Sequence, residues 1–332
     1  MKARRWPGHV DQLEQHSRVR KLSMSGQPKL DSTNGPIFFE GGRLGILLIH
    51  GLGGTPVELK FVAQALNRAG HTVYCPLLAG HGGSAELLNA TTWTDWYKSV
   101  QEAHDALKER TDVIVVGGLS AGVLLALHLA AKRPGEVDGA LLFSPTFWPD
   151  GWAIPHYLAL FKLVRYKWLA NLMTLQECAP YGIKDERTRG VVLNSLQSEG
   201  RRLKDIFGRN GGTVLEFRWL GKTVEKELSS IKQPVLIFHP RFDDQSDMSN
   251  SLILQRKLAG LVEVVILDDS YHMVTLDRQR ADVADRSVTF CASLLRQHKQ
   301  QQEMIGPEGA GGGEVSVAAC GARSTLRVVG GS

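Results

Sequence analysis

Ser120 lies in the stretch VVGGLSAGVLLALHLAA (115–131), between an apolar β-branched run and an apolar helical one, with Gly118 and Gly122 on either side. A serine hydroxyl is a weak nucleophile at its ordinary pKa and needs a base, itself oriented by an acid. The pattern Gly118-x-Ser120-x-Gly122 predicts a sharp strand-to-helix turn. Small neighbours let strand and helix approach closely, and the strained turn lifts Oγ above the sheet at the positive end of the next helix. The plain alternative is an N-cap serine. The strand before Ser120 and the unbroken helix after it favour the nucleophile.

In this architecture the acid and the base follow the nucleophile in the order Ser, Asp or Glu, His. The run PVLIF (234–238) leads into HPRFDDQSD, and Asp243 falls in the loop where an acid should emerge. Asp244 beside it is the alternative, and either residue could instead be an ordinary turn aspartate. The next run, VEVVIL (262–267), ends in DDSYHMVTLD, which puts His272 just past a strand and before the last helix. None of the other ten histidines occupies that interval. A tetrahedral intermediate also needs somewhere to place its negative charge. The segment GILLIHGLGGTPVEL (45–59) runs a strand into His50-Gly51-Leu52-Gly53-Gly54. Its glycines let an amide face the serine, so the N–H groups of Leu52 and Ala121 are the expected oxyanion donors. A plain strand-to-helix turn is the bland reading. A phosphate cradle is excluded, because neither a G-x-G-x-x-G spacing nor a P-loop Lys-Ser/Thr is present. No metal site is expected.

These residues need a scaffold. Short apolar runs at 45–49, 72–76, 112–118, 139–144, 234–238 and 262–267 predict buried strands. Helical periodicity falls at 56–68, 94–109, 121–133, 248–259 and 280–298. The alternation predicts an α/β fold: a mostly parallel sheet with helices on both faces, whose ligands bind beyond the carboxyl ends of the strands. Residues 36–147 and 213–299 make up this core. Residues 148–212 carry no convincing strand and read as a helical cap. Residues 1–35 read as a flexible arm and 300–332, rich in glycine, as a disordered tail.

The 332 residues carry a net charge of +5. Lys2, Arg4, Arg5, Arg18, Arg20 and Lys21 against Asp11 and Glu14 account for four of those charges within the first 22 residues. The core is therefore almost neutral, and no nucleic-acid groove is indicated. Cys75, Cys178, Cys291 and Cys320 show no paired spacing, which fits a reducing, cytoplasmic compartment. In the cap, Trp148, Trp152 and Phe161 are candidate substrate-binding residues, joined by Trp168, Leu158, Leu160, Leu163 and Leu169 in an apolar roof suited to an acyl chain. The alternative is that these side chains pack the cap onto the core. Lys162, Arg165 and Lys167 interleave with them, so weak membrane-surface contact through the cap or the N-terminal arm is a secondary expectation.

The segments ILLIHGLGGTP, PLLAGHGG, TTWTDWY, VIVVGGLSAG, LLFSPTF, HPRFDDQSD and SYHMVTLD resemble the α/β-hydrolase superfamily over residues 36–298. The similarity is greatest to its bacterial carboxylesterase and monoacylglycerol-lipase-like branch. The resemblance implies Ser120 as nucleophile, Asp243 as acid, His272 as base, and Leu52 and Ala121 as oxyanion amides. Two departures touch the acid segment: Pro240 stands where small residues are common, and polar Gln245-Ser246 replaces a hydrophobic residue. The implied activity is hydrolysis of a small-molecule carboxylic ester, of short to medium acyl length or a monoacylglycerol, without a cofactor. A thioesterase or acyltransferase would use the same residues, and a non-catalytic binding module could keep the fold.

Overall fold

The computed structural model describes residues 34–198, 207–304 and 325–329. In chain order the strands are β1 (Ile37–Phe39), β2 (Gly42–Ile49), β3 (His71–Cys75), β4 (Val113–Leu119), β5 (Gly139–Phe143), β6 (Thr174–Gln176), β7 (Gly208–Asn210), β8 (Val235–Pro240), β9 (Val262–Leu267) and β10 (Thr325–Val329). Eight of them form one sheet in the order β1-β3-β2-β4-β5-β8-β9-β10, parallel except where β1 pairs with β3. The expected α/β architecture is present. All of β4 and β5 and the last six residues of β2 are buried, as strands covered on both faces must be.

The helices are α1 (Lys60–Arg68), α2 (Ala85–Asn89), α3 (Trp93–Lys108), α4 (Ala121–Lys132), α5 (Lys167–Ala170), α6 (Glu186–Ser198), α7 (Gly211–Glu227), α8 (Ser249–Lys257) and α9 (Arg280–Met304). On one face Val62 and Leu66 of α1 pack with Val283 and Leu294 of α9. On the other, Trp96 and Val100 of α3 join α4, α7 and Leu254 of α8. β2 pairs with β3 on one side and β4 on the other, so the chain reverses its winding beside β2. The loops after β2 and β4 therefore open onto the crevice where such sheets bind ligands.

The structure adds β1 and α2 to the expected elements and departs from the sequence expectation in three further places. The interval 148–212 contains a two-stranded antiparallel sheet, β6 with β7, besides its helices. Helix α7 was not expected, because its stripe of Val214, Leu215, Phe217, Leu220 and Val224 is interrupted by two charges. Both charges are buried with partners: Glu216 accepts from Lys167 Nζ at 2.8 Å, and Arg218 donates to the carbonyls of Phe161 (2.6 Å) and Val164. At the C-terminus, within the segment expected to be a disordered tail, α9 runs on to Met304 and residues 325–329 pair in parallel with the open edge of β9. That edge presents unpaired backbone groups, and a β-branched run such as TLRVV is suited to cover it. The rest of the expected tail, and the expected arm apart from residues 34 and 35, lie outside the described residues.

The turn after β4 depends on its glycines. A Cβ on Gly118 would overlap the Gly122 backbone, and one on Gly122 would overlap the Ile49 carbonyl of β2. Gly122→Ala should therefore cost about 3 kcal/mol or more, or prevent folding. Gly135→Ala, whose Cβ would meet nothing within 4 Å, should unfold in urea like the wild type.

Candidate active site

Ser120 adopts φ 56° and ψ −115°, a conformation that L-residues rarely hold. The turn is held by Ser120 N–H donating to Phe143 O (2.9 Å) and Val123 N–H donating to Ser120 O (3.1 Å). Ser120 Oγ donates to Thr146 Oγ1 at 3.3 Å. Thr146 Oγ1 in turn donates to Ser144 O (3.1 Å), and Ser144 Oγ donates to the carbonyl of His272 (2.6 Å). A short polar chain thus links the loop after β5 to both the serine and the histidine segment.

Asp243 and His272 meet directly, although 29 residues apart. His272 Nδ1 lies 2.9 Å from Asp243 Oδ2 and 3.0 Å from Oδ1. Asp243 Oδ1 also accepts the N–H groups of Gln245 (2.8 Å) and Ser246 (2.9 Å). The polar pair that departs from the family pattern thus supplies amides to the carboxylate. Burial alone would raise the Asp243 pKa, but His272, His239 and the Gln245 amide together hold it below the usual carboxylate value. For His272 burial pulls the pKa down, and Asp243 and Asp244 outweigh it, so it is raised. The other ring nitrogen, Nε2, is buried and makes no hydrogen bond among the described residues. With Nδ1–H committed to Asp243, the neutral ring presents a bare lone pair at Nε2. A buried polar atom without a partner is costly and calls for an explanation.

His50 shapes the loop after β2. Burial lowers its pKa to about 4, so the ring is neutral. Its Nδ1 donates to Gly51 O (2.9 Å) and its Nε2 accepts from Leu78 N–H (3.2 Å). Neither Leu52 N–H nor Ala121 N–H pairs with a backbone carbonyl outside the regular elements among the described residues. Ala121 is the first residue of α4, where amides point free of the helix. Gly51 lies close to the serine: a Cβ built on it would stand 3.7 Å from Ser120 Cβ.

The three cap aromatics part company. Phe161 is fully buried and Trp148 nearly so, their rings stacked at 6.4 Å in a cluster with Leu158, Ala170, Val214 and Leu215. They pack the cap onto α7, because two large rings give a short helical insertion a core of its own. Trp152 is 60% exposed, donates from Nε1 to Phe242 O (3.1 Å), and meets Tyr271, the residue before His272, edge-on at 5.6 Å.

Residues outside the sequence expectation fix the histidine loop. Asp244 accepts His272 N–H (3.2 Å) on one oxygen and Gly182 N–H of the cap (2.8 Å) on the other. Burial and the neighbouring Asp243 raise its pKa to about 6. Asp277 accepts Tyr271 N–H (2.7 Å) together with Lys184 N–H and Asp185 N–H of the cap. Glu58 tucks its carboxylate under the loop after β2 and accepts Gly51 N–H at 3.1 Å. An aspartate or glutamate in a loop carries no sequence signal for such roles; the doublet Asp243-Asp244 was the one visible hint.

A family model described as serine aminopeptidase, S33 (Hydrolase_4) matches residues 43–279. The thermostable monoacylglycerol lipase of Bacillus sp. (strain H-257) is 30% identical over 274 residues, covering 81% of this chain and 98% of that protein. The carboxylesterase of Bacillus subtilis (strain 168) is 24% identical over 262 residues, covering 74% and 91%. Among solved structures, one reported for the metagenome-derived lipolytic enzymes LipS and LipT superposes with a TM-score of 0.66 at 25% identity, over 80% of this chain and 100% of that one.

Proposed function

Since the chain belongs to the serine aminopeptidase S33 (Hydrolase_4) family and has the α/β-hydrolase fold, we propose that it hydrolyses carboxylic esters, short to medium acyl esters or monoacylglycerols, through an acyl-enzyme on Ser120. The observation that carries this reading is His272, its Nδ1 held by the Asp243 carboxylate and its buried Nε2 without a hydrogen-bond partner among the described residues, in a segment tied through Ser144 and Thr146 to a serine in a strained strand-to-helix turn. The monoacylglycerol lipase and carboxylesterase relatives support the substrate class.

In the proposed reaction Ser120 Oγ turns from Thr146 toward His272 and attacks the ester carbonyl as Nε2 takes its proton. The carbonyl oxygen becomes an oxyanion facing the Leu52 and Ala121 N–H groups, and Asp243 stabilises the imidazolium. Collapse breaks the bond to the leaving alkoxide, which takes the proton from Nε2 and departs as the alcohol. Water then repeats the sequence on the acyl-enzyme, and the acid leaves. No cofactor is needed for any step.

A fluorophosphonate probe tests the reading. It should label Ser120, identified by peptide mass spectrometry, and prior labelling should abolish turnover of p-nitrophenyl esters of graded acyl length. Labelling elsewhere, or none in folded protein, would end the proposal. Weak contact with lipid surfaces is supported by exposed Tyr157, Leu160, Leu163, Tyr166 and Trp168 of the cap, interleaved with Lys162, Arg165 and Lys167. Among the described residues no helix is long and apolar enough to cross a membrane. A cytoplasmic location rests on the unpaired Cys75, Cys178 and Cys291.

A further inference from the structure

Glu58 lies in the helical turn Pro56–Leu59 that follows the loop after β2. The residue is partly exposed, but its carboxylate is turned inward. One oxygen accepts Gly51 N–H at 3.1 Å. The other lies against Gly54, where a side chain would overlap it. Its backbone carbonyl accepts Thr275 Oγ1 at 2.7 Å, three residues beyond His272. Gly51 is thus placed between Glu58 and the serine: a Cβ on it would meet Glu58 Oε2 at 3.5 Å and Ser120 Cβ at 3.7 Å. The peptide that follows Gly51 carries the Leu52 N–H.

We propose that Glu58, in its ionised form, is a positioning residue that holds the loop 51–54 so that the Leu52 amide faces the developing oxyanion. The inference rests on the reading of Leu52 as an oxyanion donor. The carboxylate acts through the Gly51 N–H. A charge-assisted bond of this kind is roughly twice as strong as a neutral one, and small displacements of catalytic donors cost rate steeply.

The charge on Glu58 is set by what surrounds it. Its pKa is raised to about 7, because burial, with Glu177 after β6, outweighs the Gly51 N–H bond, Arg209 of β7 and His272 of the loop after β9, which pull it down. Arg209 pairs with Glu177 at 3.1 Å and lies against Gly53, so the cap takes part in fixing this charge. Ionised Glu58 and neutral His272 are both lost on acidification. Dividing the wild-type kcat by that of Glu58→Gln, which is neutral at every pH, cancels most of the His272 titration. Loss of the Glu58 charge also lowers the His272 pKa, which takes the ratio down further at acid pH, so the gap that persists at alkaline pH is the part set by Glu58 itself.

The experiment is ester turnover by wild type, Glu58→Gln and Ser120→Ala between pH 5.5 and 9. The expected ratio of wild type to Glu58→Gln in kcat is about tenfold above pH 8, less than the roughly 10²–10³ for deleting an oxyanion donor outright, and falls toward one below pH 6, with KM unchanged. A ratio of one throughout, or a ratio independent of pH, overturns the inference while leaving the Ser120 chemistry intact. Turnover that survives Ser120→Ala overturns that chemistry and the inference with it. Should Glu58→Gln not fold, Glu58→Asp, which keeps the charge but withdraws it from Gly51, should lower kcat without raising KM; wild-type kcat in that variant would equally refute the proposal.

Discussion

Ser120→Ala is expected to lower kcat for ester hydrolysis by roughly 10⁴- to 10⁶-fold while the protein stays folded. Without Oγ there is no acyl-enzyme, and His272 can at best activate a water that the site does not position. What remains is the residual catalysis of substrate binding and oxyanion donors. Stability should change little, because the side chain loses a single 3.3 Å bond to Thr146, worth about 1 kcal/mol, and alanine meets the same strain at φ 56°. Ser144 provides a stringent comparison. It also has positive φ, 47°, and is fully buried, but its hydroxyl is committed to His272 O. Ser144→Ala should therefore slow turnover by loosening the histidine loop and should still take the fluorophosphonate label. The two variants, assayed for turnover, labelling and thermal unfolding, separate chemistry from support. A Ser120→Ala enzyme within tenfold of wild type would remove the serine from the mechanism.

Much of this could be read in the sequence because the fold and the chemistry share one signal. Buried parallel strands have to be short apolar runs, and ligand-binding residues in such sheets follow their carboxyl ends. Ser120, Asp243 and His272 each follow a run of that kind, after β4, β8 and β9, so a test of position replaced a test of contact. The parts that escaped depend on partners distant in the chain. Helix α7 buries Glu216 and Arg218 only because Lys167 and the carbonyls of Phe161 and Val164 are there to meet them. Trp148 and Phe161 have the composition of a substrate wall and of a small core alike, and their packing with Val214 and Leu215 has no local sequence signal. Strand β10 needed the open edge of β9, and Glu58 needed Gly51, before either had a role. Local pattern carries elements and their ends; it does not carry the pairing of one buried polar group with another.

The acid offers the second large effect, since two adjacent aspartates stand at the site and both touch His272. Asp243→Asn is expected to reduce kcat about 10⁴-fold. The carboxylate accepts from Nδ1 and from two backbone amides. An asparagine can keep its oxygen on the amides while turning its NH2 toward the ring, which then favours the tautomer with the proton on Nε2, the wrong nitrogen for a base. The imidazolium also loses its counter-charge, so the His272 pKa, raised in the wild type, should fall. Asp244→Asn acts differently. Asp244 meets the backbone N–H of His272 and not its ring, and its other oxygen holds Gly182 of the cap. One of those two N–H groups would lose its acceptor, a cost of about 1–3 kcal/mol in stability, with kcat within about tenfold of wild type. Asp244 has a pKa near 6, so near neutral pH the substitution removes a charge, and it removes almost none at pH 5. A raised pKa means that the wild type loses stability as pH rises from about 4 to about 6 and the asparagine variant does not, so its destabilisation in urea should be larger at pH 5 than at pH 7. Steady-state kinetics and urea unfolding on both variants decide the assignment: if Asp244→Asn lost 10⁴-fold and Asp243→Asn did not, the acid would be the second aspartate of the pair and the hydrogen bond at 2.9 Å would be structural.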